Sequence, residues 1–180
     1  MSTQNENSMT QKKNTQSKTD EIIKEVLKGE TLKNAQNFIA YLRENKMSLQ
    51  KGYSNAWLVK YKGNNICHIR LHGVPGNYRL DENSWHINPC GRENNYEDYA
   101  ADENVKNLLW TNVIYCNNCG GPCNPGSDVT VAGKTFEKVC YKQILITNPD
   151  EETLEYVKTM INLRKNAVSE RLGINQISSD

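Results

Sequence analysis

The sequence has little excess charge and no long apolar run, and both shortages exclude classes of protein. Its 180 residues contain 22 Lys and Arg against 21 Asp and Glu, which leaves a net charge of +1. A strongly basic nucleic-acid-binding protein is therefore not indicated. Mean hydropathy is -0.76, and no apolar run approaches the roughly 20 residues that a membrane span needs. We therefore expect neither a nucleic-acid partner nor a membrane partner.

Targeting and catalytic signatures are also missing. Met1–Thr10 is polar and lacks the apolar segment of a secretory signal, so the expected location is the cytoplasm. The chain contains no phosphate-binding Gly-x-x-x-x-Gly-Lys-Ser/Thr loop, no Gly-x-Gly-x-x-Gly fingerprint and no Gly-x-Ser-x-Gly nucleophile motif. The sequence therefore assigns no familiar reaction.

The length predicts one domain between two short tails. Residues 1–18 consist mainly of Gln, Asn, Ser, Thr and Lys, a composition typical of a disordered tail. The predicted domain covers residues 19–172, and residues 173–180 form the predicted C-terminal tail. A fold of this size buries roughly 70% of the surface of its unfolded chain, which is enough for one ordinary core.

Helical spacing of apolar residues predicts helices at both ends of this domain. Gly29 is expected to stop the first helix and Thr31 to cap the second. Asn148 is the expected N-cap of the last helix, which begins with Pro149 and ends at Gly173. The predicted helices are 19–27, 31–45, about 103–110 and 149–172. The stripes expected in the core are Leu32, Ala35, Phe38, Ile39 and Leu42 in the second helix, and Leu154, Val157, Ile161 and Val168 in the last.

Alternating apolar and polar residues predict strands between these helices. On the strand at 66–72, Cys67, Ile69 and Leu71 share one face. Regular alternation of strands and helices is absent, so the expected class is α+β. The sheet is predicted to be mainly antiparallel, with the terminal helices on one side and a cysteine knuckle at one end. The predicted strands are 57–61, 66–72, 84–88, 111–115, 128–132, 135–141 and 144–147.

Cysteine is the most informative residue type in the chain, with six occurrences. In a cytoplasmic protein such clusters bind metal or carry out redox chemistry more often than they form disulfides. Two residues between cysteines let both sulfur atoms face one ion, and four thiolates complete a tetrahedral structural zinc site. The predicted zinc ligands are Cys116, Cys119, Cys123 and Cys140.

Other interpretations of the cluster stay open. Three cysteines with a water molecule, or with His86 or Cys90 in place of one cysteine, also give four ligands. A reactive thiol among Cys116, Cys119 and Cys123 is a second interpretation, and cysteines that share no ion are a third.

Two further groups of polar residues have both a structural and a functional interpretation. His68 and His72 lie on one face of a predicted strand, about 13 Å apart, so they do not share a metal ion on a regular strand. With Arg70 between them, they either form a solvated face or line a pocket on a concave sheet. His86 is expected to point outward beside a buried Trp85.

The acidic segment before the third helix is predicted to be solvated surface. Tyr96 and Tyr99 in this segment either line a ligand site or anchor the loop. Its acidic residues are Glu93, Glu97, Asp98, Asp102 and Glu103.

The core from about Thr31 to Lys165 resembles a family of small, uncharacterised, cysteine-containing bacterial cytoplasmic proteins. The resemblance rests on the 57–61 and 66–71 hairpin, on Ser84-Trp85-His86-Ile87, and on Cys116-x-x-Cys119-x3-Cys123 followed by Gly133-Lys134-x-Phe136-x3-Cys140. The ending Asn148-Pro149-Asp150, with Leu154, Val157, Arg164 and Lys165, is similar to the closing helix of the YdhG-like α+β fold. These resemblances imply a sheet with helices on one side and imply no activity.

Two functions follow as hypotheses. In the first, structural zinc holds the knuckle to the sheet, and a pocket between sheet and helices binds a small molecule or a protein. In the second, the protein is a redox or metal-dependent enzyme that uses Cys116, Cys119 and Cys123. Its candidate helper residues are His68, Arg70, His72 and His86.

Overall fold

The computed structural model describes residues 19–52, 55–71, 83–89, 96–117 and 125–173. The predicted N-terminal tail lies outside these ranges, and so does the predicted C-terminal tail after Gly173. Among the predicted site residues, Cys90, Cys119, Cys123 and His72 also lie outside the described residues.

Helices make up the two ends of the described chain and one segment in its middle. The helix α1 covers residues 19–26, and η1 is a single turn of 3-10 helix. The remaining bounds are α2 Gly29–Glu44, η1 Glu97–Tyr99, α3 Glu103–Thr111 and α4 Glu151–Arg171.

The strands form two antiparallel sheets. A five-stranded sheet has the order β1-β2-β3-β4-β8, and a three-stranded sheet has the order β5-β7-β6. Together with the helices they confirm the predicted α+β class. The bounds are β1 Ser48–Lys51, β2 Ala56–Tyr61, β3 Asn64–Leu71, β4 Trp85–Pro89, β5 Val113–Tyr115, β6 Ser127–Val131, β7 Lys134–Ile144 and β8 Ile146–Thr147.

The main core lies between the helices and one face of the five-stranded sheet. Phe38 of α2 packs on Trp85 of β4 with ring centroids 5.9 Å apart, and Trp57 Nε1 donates to Thr19 Oγ1 of α1 at 3.2 Å. On α4, Lys165 lies over the Tyr61 ring. The predicted alternation is confirmed, because the buried residues of this face are Trp57, Val59, Cys67, Ile69, Leu71, Trp85 and Ile87. The stripes of α2 and α4 are also buried as predicted, with Leu32 half-buried at the edge.

The end of β7 crosses the opposite face of the five-stranded sheet. Asn88 Nδ2 donates to the carbonyl oxygens of Lys142 at 2.6 Å and of Ile144 at 2.5 Å. Beyond Ile144 the chain continues into β8, which pairs with β4. One strand of the small sheet therefore covers part of the face that α1, α2 and α4 leave open.

Several element boundaries differ from the predictions. Gly29, the predicted stop signal, is the first residue of α2, and Thr111, predicted as strand, ends α3. The N-cap of α4 is Asp150, whose carboxylate accepts from Thr153 N at 2.8 Å. Asn148 adopts a left-handed conformation, and its Oδ1 accepts from Trp85 N. The predicted cap residue therefore joins the sheet to the start of the helix.

None of the helices in the described ranges combines the length and apolar character needed to cross a membrane.

Candidate functional site

A cavity of about 620 Å³ lies on the face of the five-stranded sheet opposite the helical core. Its floor is formed by residues of β2, β3 and β4, and one wall is the end of β7, from Tyr141 to Gln143. Tyr96 and Arg164 complete the lining. We call the floor residues the cavity face: Ala56, His68, Arg70, His86 and Asn88.

The strand register aligns the cavity face. Arg70 is opposite Ala56 on one side and His86 on the other, and His68 is opposite Asn88. Because side chains alternate along a strand, residues opposite each other point to the same side of the sheet. The predicted polar face of β3 therefore continues across three strands and lines a pocket, which was one of its two predicted interpretations.

His86 is buried, so the prediction that it points outward is wrong. Its side chain is directed away from the helical core, but the end of β7 covers it and leaves only 4% of the residue exposed. Its Nδ1 has no hydrogen-bond partner among the described residues. Burial, together with the smaller effects of the nearby charges of Arg70 and Lys142, lowers the pKa of His86 to about 4. The imidazole is therefore neutral at neutral pH.

The pKa of His68 is shifted in the same direction. Partial burial lowers its pKa, and Arg70 contributes in the same direction. Since a guanidinium and an ammonium face these imidazoles, a metal cation at His86 would be repelled. The structure therefore gives no support to His86 as the fourth ligand of a metal site.

Positive charge dominates the cavity lining. The Arg70 side chain makes no hydrogen bond or ion pair with the described residues, and Lys142 lines the cavity from β7. Arg164 also lines the cavity, but the Asp98 carboxylate pairs with it. Among the lining residues that the structure describes, none is Asp or Glu. The charge of Arg70 therefore has no described carboxylate beside it.

Tyr96 and Gln143 close one side of the cavity. The Tyr96 hydroxyl donates to Gln143 Oε1 at 2.5 Å, and Tyr96 packs on Tyr99 with ring centroids 6.1 Å apart. Both partners of this hydrogen bond have positive φ, 60° at Tyr96 and 58° at Gln143. Non-glycine residues adopt such angles only where the surroundings stabilise them. The two predicted roles of Tyr96 therefore coincide, since it anchors its segment and lines the cavity.

The two predicted zinc ligands that the structure describes, Cys116 and Cys140, lie at the small sheet and are not among the residues that line the cavity. Tyr115 pairs with Val139, and Cys116 N donates to Lys138 O at 2.7 Å, so Cys116 lies alongside the segment that contains Cys140. Cys116 directly follows β5, and Cys140 lies inside β7, two residues beyond Lys138. Within the described part of the chain, no three His, Cys, Asp or Glu side chains are grouped as metal ligands.

Gly126 shows how the chain returns to Cys116. A Cβ atom at Gly126 would lie 2.8 Å from Lys138 O and 2.9 Å from Cys116 Cβ. The connection that contains Cys119 and Cys123 in sequence therefore leaves the sheet at Cys116 and returns directly beside it. Cys67 lies elsewhere, fully buried in the main core.

Sequence reasoning missed Lys142 and Gln143, because β7 was predicted to end at Tyr141. The available signal was the polar pair that separates Tyr141 from the apolar Ile144-Leu145-Ile146. Asp98 was also misjudged, since it is buried beside Arg164 instead of being solvated.

The chain matches no protein-family model, no curated protein and no solved structure. The resemblance to the YdhG-like fold therefore stays a prediction.

Proposed function

We propose that this protein is a small-molecule-binding module whose ligand occupies the cavity on the five-stranded sheet. The observation that carries this proposal is the cavity itself. Its volume of about 620 Å³ lies in the range of roughly 300–1,000 Å³ that is typical of small-molecule sites. Its polar side chains come from three different strands, β3, β4 and β7, so one ligand can be contacted from the floor and from one wall.

The lining supports binding more than catalysis. A general base works best when its pKa is near the working pH, whereas the pKa of His86 is about 4. The described cysteines do not line the cavity, so no described thiol lies beside these imidazoles. The alternative function, cysteine-dependent redox or metal chemistry, would use Cys116, Cys119 and Cys123.

We also propose that a structural zinc ion stabilises the connection between β5 and β6. Support comes from the contact of Gly126 with Cys116 and from the pairing of β5 with the segment before Cys140. Both bring the ends of the cysteine-containing connection together. A metal bound to Cys116, Cys119, Cys123 and Cys140 would fasten this connection to β7, the strand that forms the cavity wall. The proposed location is the cytoplasm, where thiols remain reduced and available to zinc.

Native mass spectrometry of the full chain tests the binding function. The protein is measured as purified, and again after incubation with the small-molecule fraction of a bacterial cell extract. We expect a discrete non-covalent adduct. Ala56→Trp, which fills the cavity floor, should abolish the adduct. Gln50→Trp is the matched control, because Gln50 is an exposed residue of β1 outside the cavity lining. A bare chain in both samples, or an adduct that survives Ala56→Trp, would contradict the proposal.

A further inference from the structure

Two of the three cationic residues that line the cavity belong to different sheets. Arg70 belongs to β3 of the five-stranded sheet, and Lys142 belongs to β7 of the three-stranded sheet. Both lie near His86, since Arg70 is its register partner and Lys142 lines the same cavity. The hydrogen bonds from Asn88 to β7 hold the two strands in this arrangement.

The Arg70 guanidinium lies at a partly buried place, where a charge without a partner costs free energy. Arg164, which lines the same cavity, shows how the fold satisfies such a charge, since Asp98 pairs with it and both side chains are nearly buried. For Arg70 the described residues provide no such carboxylate, and its planar guanidinium is suited to bidentate contact with a carboxylate or a phosphate. An anion in the cavity would supply a partner for the Arg70 guanidinium.

We infer that the ligand of this cavity carries an anionic group, a carboxylate or a phosphate, that binds between Arg70 and Lys142. This inference rests on the proposed small-molecule-binding function. The amide side chains that also line the cavity, including Asn65 and Gln143, are suited to hydrogen bonds with the uncharged remainder of the ligand.

Two matched pairs of probes test the inference by NMR titration of the full chain at constant ionic strength. Glycerol 3-phosphate is compared with glycerol, and succinate with succinamide. We expect each anion to bind at least about tenfold more tightly than its uncharged partner. The amide signals of residues 68–70, 86–88 and 141–143 should shift. Comparing the affinity for glycerol 3-phosphate with the affinity for succinate then shows whether the cavity prefers a phosphate or a carboxylate.

Charge variants connect the binding to the two residues. Arg70→Gln and Lys142→Gln should each lower the affinity for the tighter-binding anion by about tenfold or more. Arg70→Lys, which keeps the charge and loses the bidentate geometry, should give a smaller loss. Lys51→Gln, at the exposed end of β1, is the control and should change the affinity less than about twofold. The amide spectrum of each variant shows whether it is folded.

Three outcomes would overturn the inference. The first is equal affinity for charged and uncharged probes, the second is unchanged affinity in folded Arg70→Gln and Lys142→Gln, and the third is no shift of the cavity amides at high millimolar anion. The adduct test with Ala56→Trp has a separate readout. If that adduct is present while the anion tests fail, the binding function stands and only the ligand class is wrong.

Discussion

Arg164 on α4 donates a hydrogen bond to the Asp98 carboxylate of η1, although the two residues are 66 positions apart. The side chains are 9% and 12% exposed, so this ion pair is nearly buried. Arg171, one of the last residues of α4, donates to the other oxygen of the same carboxylate at 2.5 Å. One acidic residue thus fastens the segment that carries Tyr96 to the C-terminal half of the last helix.

Asp98→Asn should destabilise the fold strongly. The substitution removes the negative charge and leaves the buried guanidinium of Arg164 uncompensated, which typically costs about 3–5 kcal/mol. Urea unfolding followed by tryptophan fluorescence measures the free energy of unfolding. The control is Glu155→Gln, which breaks the exposed pair between Glu155 and Lys158 on the same helix and should cost less than about 1 kcal/mol. Similar losses in the two variants would show that the Asp98 pair is not a major stabilising contact.

A second prediction uses two glycines whose backbones have almost the same conformation. Gly126 has φ +91° and Gly133 has φ +83°, so alanine is strained at both positions. The backbone term alone is about 1–2 kcal/mol. At Gly133 an added Cβ meets nothing within 4 Å, whereas at Gly126 it would lie 2.8 Å from the Lys138 backbone. Gly126→Ala should therefore cost about 1–3 kcal/mol more than Gly133→Ala.

Thermal unfolding of the two alanine variants, side by side, measures this difference. A further consequence concerns the cysteines, because the Cβ at Gly126 would also press on Cys116. If the connection closes at this point, Gly126→Ala should lower metal content as well as stability, and Gly133→Ala should leave metal content unchanged. Equal melting temperatures for the two variants would refute the close approach at Gly126.

Local patterns predicted the core better than the site. Spacing within one element determines the apolar stripes of α2 and α4 and the alternation around Cys67, Ile69 and Leu71. These patterns can therefore be recognised in a short stretch of sequence. The α+β class follows from the order of the predicted helices and strands along the chain. The strand β1 was missed because its four residues, Ser48–Lys51, show no apolar alternation.

The cavity depends on which strand crosses which sheet, and the sequence contains no such information at short range. His86 has the same neighbours in sequence whether it faces solvent or lies under β7. It is buried because Asn88, two residues on, binds the carbonyl oxygens of a strand more than 50 positions away. Asp98 was misjudged for the same reason, since its partner Arg164 lies on another element.

The depressed pKa of His86 predicts how stability changes with pH. In the folded protein this pKa is about 4, against an ordinary value of 6.5. Between these two values the unfolded chain binds a proton that the folded chain excludes. The free energy of unfolding therefore rises with pH across this window. The stability that neutral His86 contributes is lost as pH falls through the window. The contribution of this one group is on the order of 3 kcal/mol over the whole window.

Urea unfolding of the parent chain and of His86→Gln at pH 7, 6 and 5 isolates this contribution. The variant should have a flatter dependence on pH, because its side chain does not titrate. The matched control is His68→Gln on the same cavity face, where the side chain is more exposed. In His68→Gln the free energy of unfolding should retain most of the pH dependence of the parent chain. If the parent and His86→Gln curves are parallel, His86 is protonated in the folded state and the cavity is more solvated than the structure indicates.

The last prediction concerns zinc and the six thiols. The full chain, purified without chelator or reductant, should contain about one zinc ion and four protected thiols. Cys116→Ser and Cys140→Ser should each lose the metal. Cys67→Ser should keep it, because Cys67 is buried in the main core on the other sheet. Metal content by mass spectrometry and a thiol count on the same sample give both numbers.

The response to chelation separates the two functions proposed for the cysteines. When a structural zinc ion is bound, its binding free energy contributes to folding. Removing it should therefore lower the melting temperature of the parent chain and leave that of Cys116→Ser unchanged. A catalytic or redox site with an open position would lose its metal with the fold largely intact. A chain without zinc, whose thiols are reactive or paired, would move the function from the sheet cavity to the chemistry of Cys116, Cys119 and Cys123.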